Sequence, residues 1–224
     1  MAKKNNLKLI KIPKKNEKLS EFVGVILGDG NITKLYNPDK KVATYQVRIA
    51  GNSIKDYNYI VNYLKPLAEN LFGIKTGIHK VKDCNGMYLT LTGKNIVNFF
   101  IKIGLKAGDK IKNNIGIPSW IKKDKRFLRA CLRGLIDTDG CLYELRPHWP
   151  GLFQLNFKNF DKKLLSDTRD SLLNLGFKVS RITSNKIYIT RKAEIHKFYK
   201  EIGSSNDRLL QKHQEFLQYN SPVV

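Results

Sequence analysis

One apolar motif occurs twice in the sequence, and each copy ends in Asp-Gly. The second copy, Leu132–Gly140, reads LRGLIDTDG, and the first copy, Phe22–Gly30, reads FVGVILGDG. A carboxylate is disfavoured at the C-terminal end of a helix, because the helix dipole is already negative there. The matched positions of Asp29 and Asp139 therefore predict that the two acids come together to bind a divalent metal.

The composition indicates a globular protein that binds a polyanion. The 224 residues include 41 Lys and Arg against 19 Asp and Glu, which gives a net charge of +22, and 42% of the residues are hydrophobic. That hydrophobic fraction is sufficient for a core, and the positive field attracts nucleic acid. The sequence contains no evident basic amphipathic helix, lipidation signal, signal peptide or apolar span of membrane length, so a membrane partner is not expected.

The three cysteines do not suggest a structural role. Cys84, Cys131 and Cys141 form no C-x-x-C pair and predict neither a zinc site nor a disulfide framework. Free thiols fit a reducing compartment, which includes a prokaryotic cytoplasm and an organellar matrix or stroma.

The repetition continues beyond the motifs. Alternating apolar and polar residues over 45–50 and 153–158 predict strands with one buried face, and further helix and strand patterns follow in the same order in both halves. The predicted strands of the second half include residues 176–179. The fold class is therefore α+β, with an αββαββα unit present twice. The predicted divisions are a basic N-terminal arm (1–18), a first repeat (19–104), a linker (105–124), a second repeat (125–212) and a C-terminal tail (213–224).

Small residues recur at four-residue spacing in each motif, which lets two helix backbones approach closely. They are Gly24 and Gly28 in the first copy, and Gly134 and Thr138 in the second. Gly30 and Gly140 suit the left-handed residue that ends many helices. Ser20 and Asp124 are the expected N-caps of the two motif helices.

An Asp-Gly pair after an apolar run is often only a turn, but its duplication in matched context favours a functional site. Asp137 is a different case, because its counterpart in the first motif is Leu27. We expect Asp137 to be a hydrogen-bonding group at the helix end.

The paired motifs resemble those of the single-chain LAGLIDADG homing endonucleases. Leu132–Gly140 matches the family motif at most positions, Phe22–Gly30 is a looser copy, and Ile117–Ile121 (IPSWI) before the second motif is also typical. The resemblance covers about residues 19–210. It implies pseudo-twofold-related halves with the motif helices at their interface, saddle-shaped antiparallel sheets along the DNA major groove, and the last acid of each motif as a metal ligand.

The implied activity is metal-dependent hydrolysis of both DNA strands, because divalent ions activate water and relieve charge on the phosphate. The expected ligands are the carboxylates of Asp29 and Asp139 with the main-chain oxygens of Gly28 and Thr138. Mg²⁺ prefers such oxygen ligands, and two or three ions are expected. Mn²⁺ or Ca²⁺ is expected to substitute for it in binding.

Two lysines hold matched positions after the last strand of each repeat. Lys94 and Lys192 resemble the active-site lysines of the family, so we predict that they are catalytic. Asn159 follows the second polar strand and is a candidate for orienting a water, although its counterpart is Gly51.

Outward-facing side chains of the predicted sheets are candidate DNA contacts, because Arg, Lys, Gln and Asn pair with base edges in the major groove. In the first repeat they are Lys34, Tyr36, Gln46, Arg48, Thr76, His79, Tyr88 and Thr90. In the second repeat they are Tyr143, Arg146, Gln154, Asn156, Lys158, Arg181, Thr183, Tyr188 and Thr190. The similar but unequal faces predict a non-palindromic target of about 20 bp.

The leading prediction is a monomeric, site-specific endonuclease that cleaves double-stranded DNA. An RNA-binding intron maturase on the same scaffold, with intron RNA as partner, is the main alternative, and a DNA-binding regulator with inactive motifs is a third. The motifs are not flanked by an N-terminal Cys or a terminal His-Asn pair, so an intein is not expected for this chain.

Overall fold

The computed structural model describes residues 8–39, 41–146 and 148–220, without the side chain of Asn220. The first half contains α1 (Glu17–Gly28), β1 (Gly30–Asn37), β2 (Val42–Asn52), a π-helix (Tyr59–Leu64), α2 (Lys65–Phe72), β3 (Gly77–Lys80), β4 (Gly86–Thr92) and α3 (Lys94–Lys102). The linker contains α4 (Lys110–Asn113) and α5 (Ser119–Lys122). The second half contains α6 (Lys125–Asp139), β5 (Gly140–Leu145), β6 (Trp149–Lys158), α7 (Lys162–Asn174), β7 (Lys186–Ile189) and α8 (Lys192–Glu201), and α9 (Asp207–Asn220) follows.

Both halves contain an antiparallel sheet. The strand order is β1-β2-β4-β3 in the first sheet and β5-β6-β7 in the second. The two halves therefore repeat the same order of elements after a motif helix, and the predicted α+β fold class with an internal duplication is confirmed.

The second sheet has one strand fewer than predicted in the described part of the chain. Residues 177–183 form only an isolated bridge, between Thr183 and Lys186. Ser184 and Asn185 both have positive φ and turn the chain sharply at this point. The Ser180 hydroxyl accepts the Tyr188 N–H at 3.0 Å, so a side chain replaces a backbone partner. The strand pattern at 177–179 is overridden by this turn.

The motif helices α1 and α6 pack backbone to backbone. A Cβ on Gly24 would overlap the carbonyl oxygen of Cys131, and a Cβ on Gly134 would overlap the carbonyl oxygen of Glu21. Only a residue without a side chain fits either position. The close approach expected from the four-residue spacing is therefore present, and it brings the C-terminal ends of both helices together.

The helix starts agree with the sequence in one case and differ in the other. Asp124 caps α6, since its carboxylate accepts the Arg126 N–H at 2.8 Å. Helix α1 begins earlier than expected, because Asn16 is extended and its side chain accepts the Leu19 N–H at 2.8 Å. Ser20 therefore lies inside the first turns of α1, where it is buried.

The glycines after the motif acids are required for space rather than for a left-handed backbone. Gly140 has φ −90° and ψ 158°, which is extended, and Gly30 is not among the residues with positive φ. A Cβ on either glycine would overlap the preceding turn of its helix, at Ile26 or Ile136. Each glycine lets a strand leave the helix end without a connecting loop.

The described part of the N-terminal arm is ordered against the first half, and residues 1–7 lie outside the described residues. The Lys11 N–H donates to the Phe72 carbonyl at 2.8 Å, and Asn95 Nδ2 donates to the Lys8 carbonyl at 2.9 Å. The arm thus covers the end of α3 on the side away from the motif acids.

The predicted C-terminal tail (213–224) is helical up to Asn220, where α9 ends, and residues 221–224 lie outside the described residues. Phe216 is buried, and its ring meets Phe153 edge-on with centroids 5.5 Å apart. Helix α9 therefore belongs to the core of the second half. In the described part of the chain, no helix has the length and apolar character needed to cross a membrane.

Candidate metal and DNA site

The two motif acids end adjacent helices. Asp29 is the C-cap of α1, and Asp139 is the last residue of α6. A Cβ on Gly28 would lie 3.3 Å from Asp139 Oδ2 and would overlap the Thr138 hydroxyl. The carboxylate of one motif therefore lies against the backbone of the other.

The environment of these acids opposes their ionisation. Burial, followed by the charge of Asp29, raises the pKa of Asp139 to about 7, although an Asn159 hydrogen bond and the Lys110 charge oppose the rise. Burial also raises the pKa of Asp29, while the Lys110 charge lowers it. Buried acids of this kind gain from a bound cation, which stabilises their charged forms.

Lys110, in the linker helix α4, reaches the end of α1 near both acids. Its Nζ donates to the carbonyl oxygens of Leu27, at 3.0 Å, and of Gly28. Burial lowers the pKa of Lys110, and the charges of Asp139 and Asp29 raise it. Sequence reasoning missed this residue, because it lies outside the repeated unit among several other linker lysines.

The Asp139 side of the site is open and hydrogen-bonded. Asn159 Nδ2 donates to Asp139 Oδ2 at 2.9 Å, and Asn159 Oδ1 accepts the Asp161 N–H at 2.8 Å. A cavity of about 420 Å³ adjoins them, lined also by Lys110 and Lys158. The amide is thus fixed at one end and presented to the acid at the other.

On the Asp29 side, the position that matches Asn159 is a glycine. Gly30 pairs with Ile49, and Gly140 pairs with Phe157. Two residues after Ile49 comes Gly51, and two residues after Phe157 comes Asn159, so these two positions match. A Cβ on Gly51 would overlap the Ile60 side chain, so the π-helix fills the space.

A charged pair takes the place of the amide on the Asp29 side. Arg208 Nε of α9 lies 3.5 Å from Asp56 Oδ1, and Asp56 Oδ2 accepts the Asn52 N–H at 2.9 Å. Burial and the charge of Asp56 raise the pKa of Asp29, while the charges of Lys110 and Arg208 lower it. The cavity here is only about 20 Å³, roughly the space of one water.

Asp137 is bound to the chain that leads into α9. Its carboxylate accepts the Ser205 N–H at 2.9 Å and a hydrogen bond from Ser204, and its carbonyl accepts from Asn206 Nδ2 at 2.9 Å. This buried acid therefore fixes the segment that carries Arg208.

The predicted catalytic lysine of the first repeat is not near the acids. The Gly93 N–H, just before Lys94, donates to the Tyr45 carbonyl of β2. The Asp29 carbonyl accepts from Ala50 of the same strand, five residues further along. At about 3.4 Å per residue, Lys94 is roughly 17 Å from Asp29 along the strand.

Lys192 is placed similarly in the second repeat. Gly140, next to Asp139, pairs with Phe157 of β6, whereas Ile189 pairs with Leu155, two residues further from the acid. Lys192 begins α8 three residues beyond Ile189, which places it further away still. The assignment of Lys94 and Lys192 is therefore corrected. The matched positions reflect the repeated fold, in which both residues begin the helix after the last strand.

Most of the predicted DNA contacts share one face of their sheet, opposite the buried residues Val47 and Leu155. The ladder registers place on that face Gln46, Arg48, His79, Tyr88 and Thr90 in the first half, and Tyr143, Gln154, Asn156, Lys158 and Tyr188 in the second. Thr190 follows β7 and is exposed.

Lys34 and Tyr36 lie on the opposite face, because they pair with Tyr45 and Ala43 rather than with Gln46 or Thr44. Ile32 is a buried residue of β1, so Lys34 and Tyr36, two and four residues later, point to the same face as Ile32. Asn31, Thr33 and Leu35 occupy the shared face instead.

Four other predicted contacts are outside the sheet ladders. Thr76 donates its N–H and hydroxyl to Glu69, which holds it beside α2. Arg146 pairs with Glu144 and lies over the Tyr219 ring at 5.5 Å. The remaining two, Arg181 and Thr183, are exposed on the irregular segment before β7.

The donor set fits a hard divalent cation. Among the described residues, no three His, Cys, Asp or Glu side chains cluster as metal ligands. A metal at the motif acids would therefore use two carboxylates, main-chain oxygens and water, which is the pattern that Mg²⁺ accepts.

A family model matches the part of the chain that contains the second motif, and two curated relatives match most of the chain. Residues 126–203 match the model of the LAGLIDADG-like domain. In Methanocaldococcus jannaschii, the replication factor C small subunit is 26% identical over 225 residues and 92% of this chain. The RNA polymerase subunit Rpo1N of that organism is 25% identical over 181 residues and 72% of this chain. The chain spans only 10% and 13% of the lengths of these relatives.

Solved structures match the whole architecture. The homing endonuclease I-DmoI, in complex with DNA and Mn, aligns with a TM-score of 0.61 and 21% identity over 84% of this chain and 96% of its own. The meganuclease I-SmaMI, bound to uncleaveable DNA, aligns with a TM-score of 0.58 and 13% identity over 93% of this chain and 89% of its own. The chain has the LAGLIDADG homing-endonuclease fold, and the resemblance predicted from its motifs is confirmed.

Proposed function

We propose that the protein is a site-specific DNA endonuclease that cleaves both strands of a long, non-palindromic duplex and acts as a monomer. The observation that carries the proposal is the meeting of Asp29 and Asp139 at the ends of two packed helices. Buried paired acids in a chain of net charge +22 suit a metal-dependent site for a polyanion. The DNA complexes of I-DmoI and I-SmaMI support the same substrate class.

In this proposal, the two carboxylates and the main-chain oxygens of Gly28 and Thr138 hold two or three divalent ions, with Mg²⁺ as the working ion. Such ions lower the pKa of water and stabilise charge on phosphate oxygens. Both acids must be ionised to bind an ion, so activity falls at low pH and in chelator.

The protein's own groups complete the site. Asn159 orients the Asp139 carboxylate and a nearby water through its fixed amide. Lys110 supplies a positive charge within reach of both acids, and we assign it the role first predicted for Lys94 and Lys192. Arg208, which pairs with Asp56, supplies a weaker positive charge near Asp29, where Lys110 has the larger influence.

The two sheet faces are proposed to read the DNA major groove. Arg48 lies over the Tyr88 ring at 5.7 Å, which holds its guanidinium on the shared face. Gln46 and Arg48 in one half, and Gln154 and Asn156 in the other, are suited to adenine and guanine edges. Because the faces differ in residues and in strand number, the two halves of the target differ.

The solved structures of I-DmoI and I-SmaMI are complexes with DNA, so they give no support to the intron maturase alternative. The activities of replication factor C and RNA polymerase are not proposed for this chain, since it spans about a tenth of those proteins.

The test is a cleavage selection on a randomised duplex library with Mg²⁺, followed by cleavage of the selected site in a plasmid. The expected result is linear product that disappears with EDTA and with the Asp29→Asn/Asp139→Asn double variant. A library that yields no cleaved duplex in Mg²⁺ or in Mn²⁺, although the protein binds duplex DNA, would contradict the proposal.

A further inference from the structure

The Lys110 ammonium occupies a position suited to a metal ion. Leu27 and Gly28 are the last residues of α1, where carbonyl oxygens have no partner within the helix. Both carbonyls accept from Lys110 Nζ. The charges that act most on this amine are those of Asp139 and Asp29. One ammonium thus donates to two orphan carbonyls and places a single positive charge near two acids.

The same atoms are the proposed donors to a divalent ion. The Gly28 carbonyl and the carboxylates of Asp29 and Asp139 form the core of that donor set. An ion bound to them would lie beside the ammonium, and like charges at such close range in a buried site repel strongly. The amine and the ion therefore compete for one position.

We propose that Lys110 is a built-in counter-ion that occupies the metal position in the metal-free protein and leaves the Gly28 carbonyl when a divalent ion binds. This inference rests on the proposed function, because it assumes that the acids bind a metal. It predicts that Lys110 weakens metal binding to the free protein. It also predicts that metal loading frees an ammonium beside the cleft that would receive a DNA phosphate.

The linker is built so that the amine can move while its helix stays in place. Asp109 caps α4 by accepting the Ile111 N–H at 2.9 Å, and Asn113 Nδ2 donates to the Ala107 carbonyl at 2.8 Å. The backbone at Lys110 is therefore fixed at both ends of the short helix. The flexible four-carbon stem of a lysine lets the ammonium shift by several ångströms without moving α4.

A competing arrangement has the opposite consequence for binding. A carbonyl oxygen has two lone pairs, so the amine and an ion could share Gly28, with Lys110 helping to position the donors. Removing Lys110 would then leave metal affinity unchanged or reduce it. The sign of the effect of Lys110 on metal affinity therefore separates the two arrangements.

The experiment is a calorimetric titration of the DNA-free, full-length protein with Ca²⁺. Lys110→Met removes the charge and keeps the length of the side chain, and Lys112→Met on the same helix is the matched control. We expect Lys110→Met to bind Ca²⁺ about tenfold more tightly than the wild type, and Lys112→Met to match the wild type. Equal or weaker binding by Lys110→Met overturns the proposal.

A second measurement does not depend on the folding of a variant. In a crystal structure of the wild type with Ca²⁺, Lys110 Nζ is expected beyond hydrogen-bonding distance of Gly28 O. An ion at the acids with the Lys110–Gly28 bond still present overturns the exchange but leaves the metal site intact. If neither the wild type nor Lys110→Met binds Ca²⁺, both the exchange and the proposed metal site fail.

Discussion

The two motif acids come from the same sequence pattern but lie in different surroundings. Asp139 accepts a hydrogen bond from Asn159 and adjoins a cavity of about 420 Å³. Asp29 faces the Asp56–Arg208 pair and a cavity of about 20 Å³. The repeated motif fixes where a carboxylate stands, and elements outside the motif decide what surrounds it.

The difference has a definite structural origin. The π-helix Tyr59–Leu64 places Ile60 against Gly51, whereas no described residue fills the space around Asn159 in the same way. Insertions of π-type are common at functional sites. We therefore expect two half-sites that cleave their strands at different rates.

The largest expected effect is loss of cleavage when either acid is neutralised. Asp29→Asn and Asp139→Asn keep the size of the side chain but remove a charged ligand, so double-strand cleavage should fall by about 10³-fold or more. Duplex binding in Ca²⁺-free buffer should change little. Asp83→Asn, at an exposed turn, is the control, and cleavage by both motif variants at the wild-type rate would remove the proposed site.

The next effect should separate the two half-sites. Asn159→Ala removes the amide that holds Asp139, so the strand cut at that half-site should slow by about 10- to 100-fold while the other strand slows less. End-labelled strands on a denaturing gel measure the two rates, and nicked duplex should accumulate. Asn174→Ala at the exposed end of α7 is the control. An equal slowing of both strands would mean that the half-sites are not independent.

The pH dependence of stability should reflect the raised pKa of Asp139. The pKa of Asp139 is about 7 in the folded protein and near 3.8 when unfolded. The folded state thus holds an extra proton between these values, so its stability falls as pH rises from about 4 to 7. Asp139→Asn removes this loss. Without metal, the free energy of unfolding of the variant should exceed that of the wild type by about 1–3 kcal/mol between pH 5 and pH 8. Urea unfolding in EDTA measures the gain, and a difference independent of pH would contradict it.

The smallest effect concerns the space at Gly51. Gly51→Ala would press on the tip of Ile60, a side chain that can yield, so we expect a loss of about 1–2 kcal/mol in the free energy of unfolding. Ile60→Val should cost about 1 kcal/mol alone. The double variant should be more stable than the sum of the single losses predicts, and strict additivity in urea unfolding would contradict the contact.

The local features of the fold follow from the sequence. Gly24 and Gly134, each at four-residue spacing from another small residue, predict the close packing of the motif helices. Asp124 predicts the N-cap of α6. Both features depend on residues only a few positions apart. Lys34 and Tyr36, which we expected on the outward face of β1, follow the buried residue Ile32 at intervals of two and therefore share its face. The strand predicted at 177–179 gives way to a turn at Ser184 and Asn185.

The surroundings of the acids do not follow from local pattern. Lys110 lies 81 positions after Asp29 and Arg208 lies 69 positions after Asp139, and each comes from outside the helical motif that it serves. Nothing in their own neighbourhoods distinguishes them from the many other basic residues. Only the packing of the linker and of α9 against the motif helices brings them to the site.

The most direct measurement is a crystal structure of the protein with its selected duplex and Mn²⁺, using anomalous scattering to locate the ions. The account predicts a peak bonded to carboxylate oxygens of both Asp29 and Asp139 and to the Gly28 carbonyl, beside the central phosphates. Ions bound elsewhere, with neither carboxylate in the coordination shell, would contradict it.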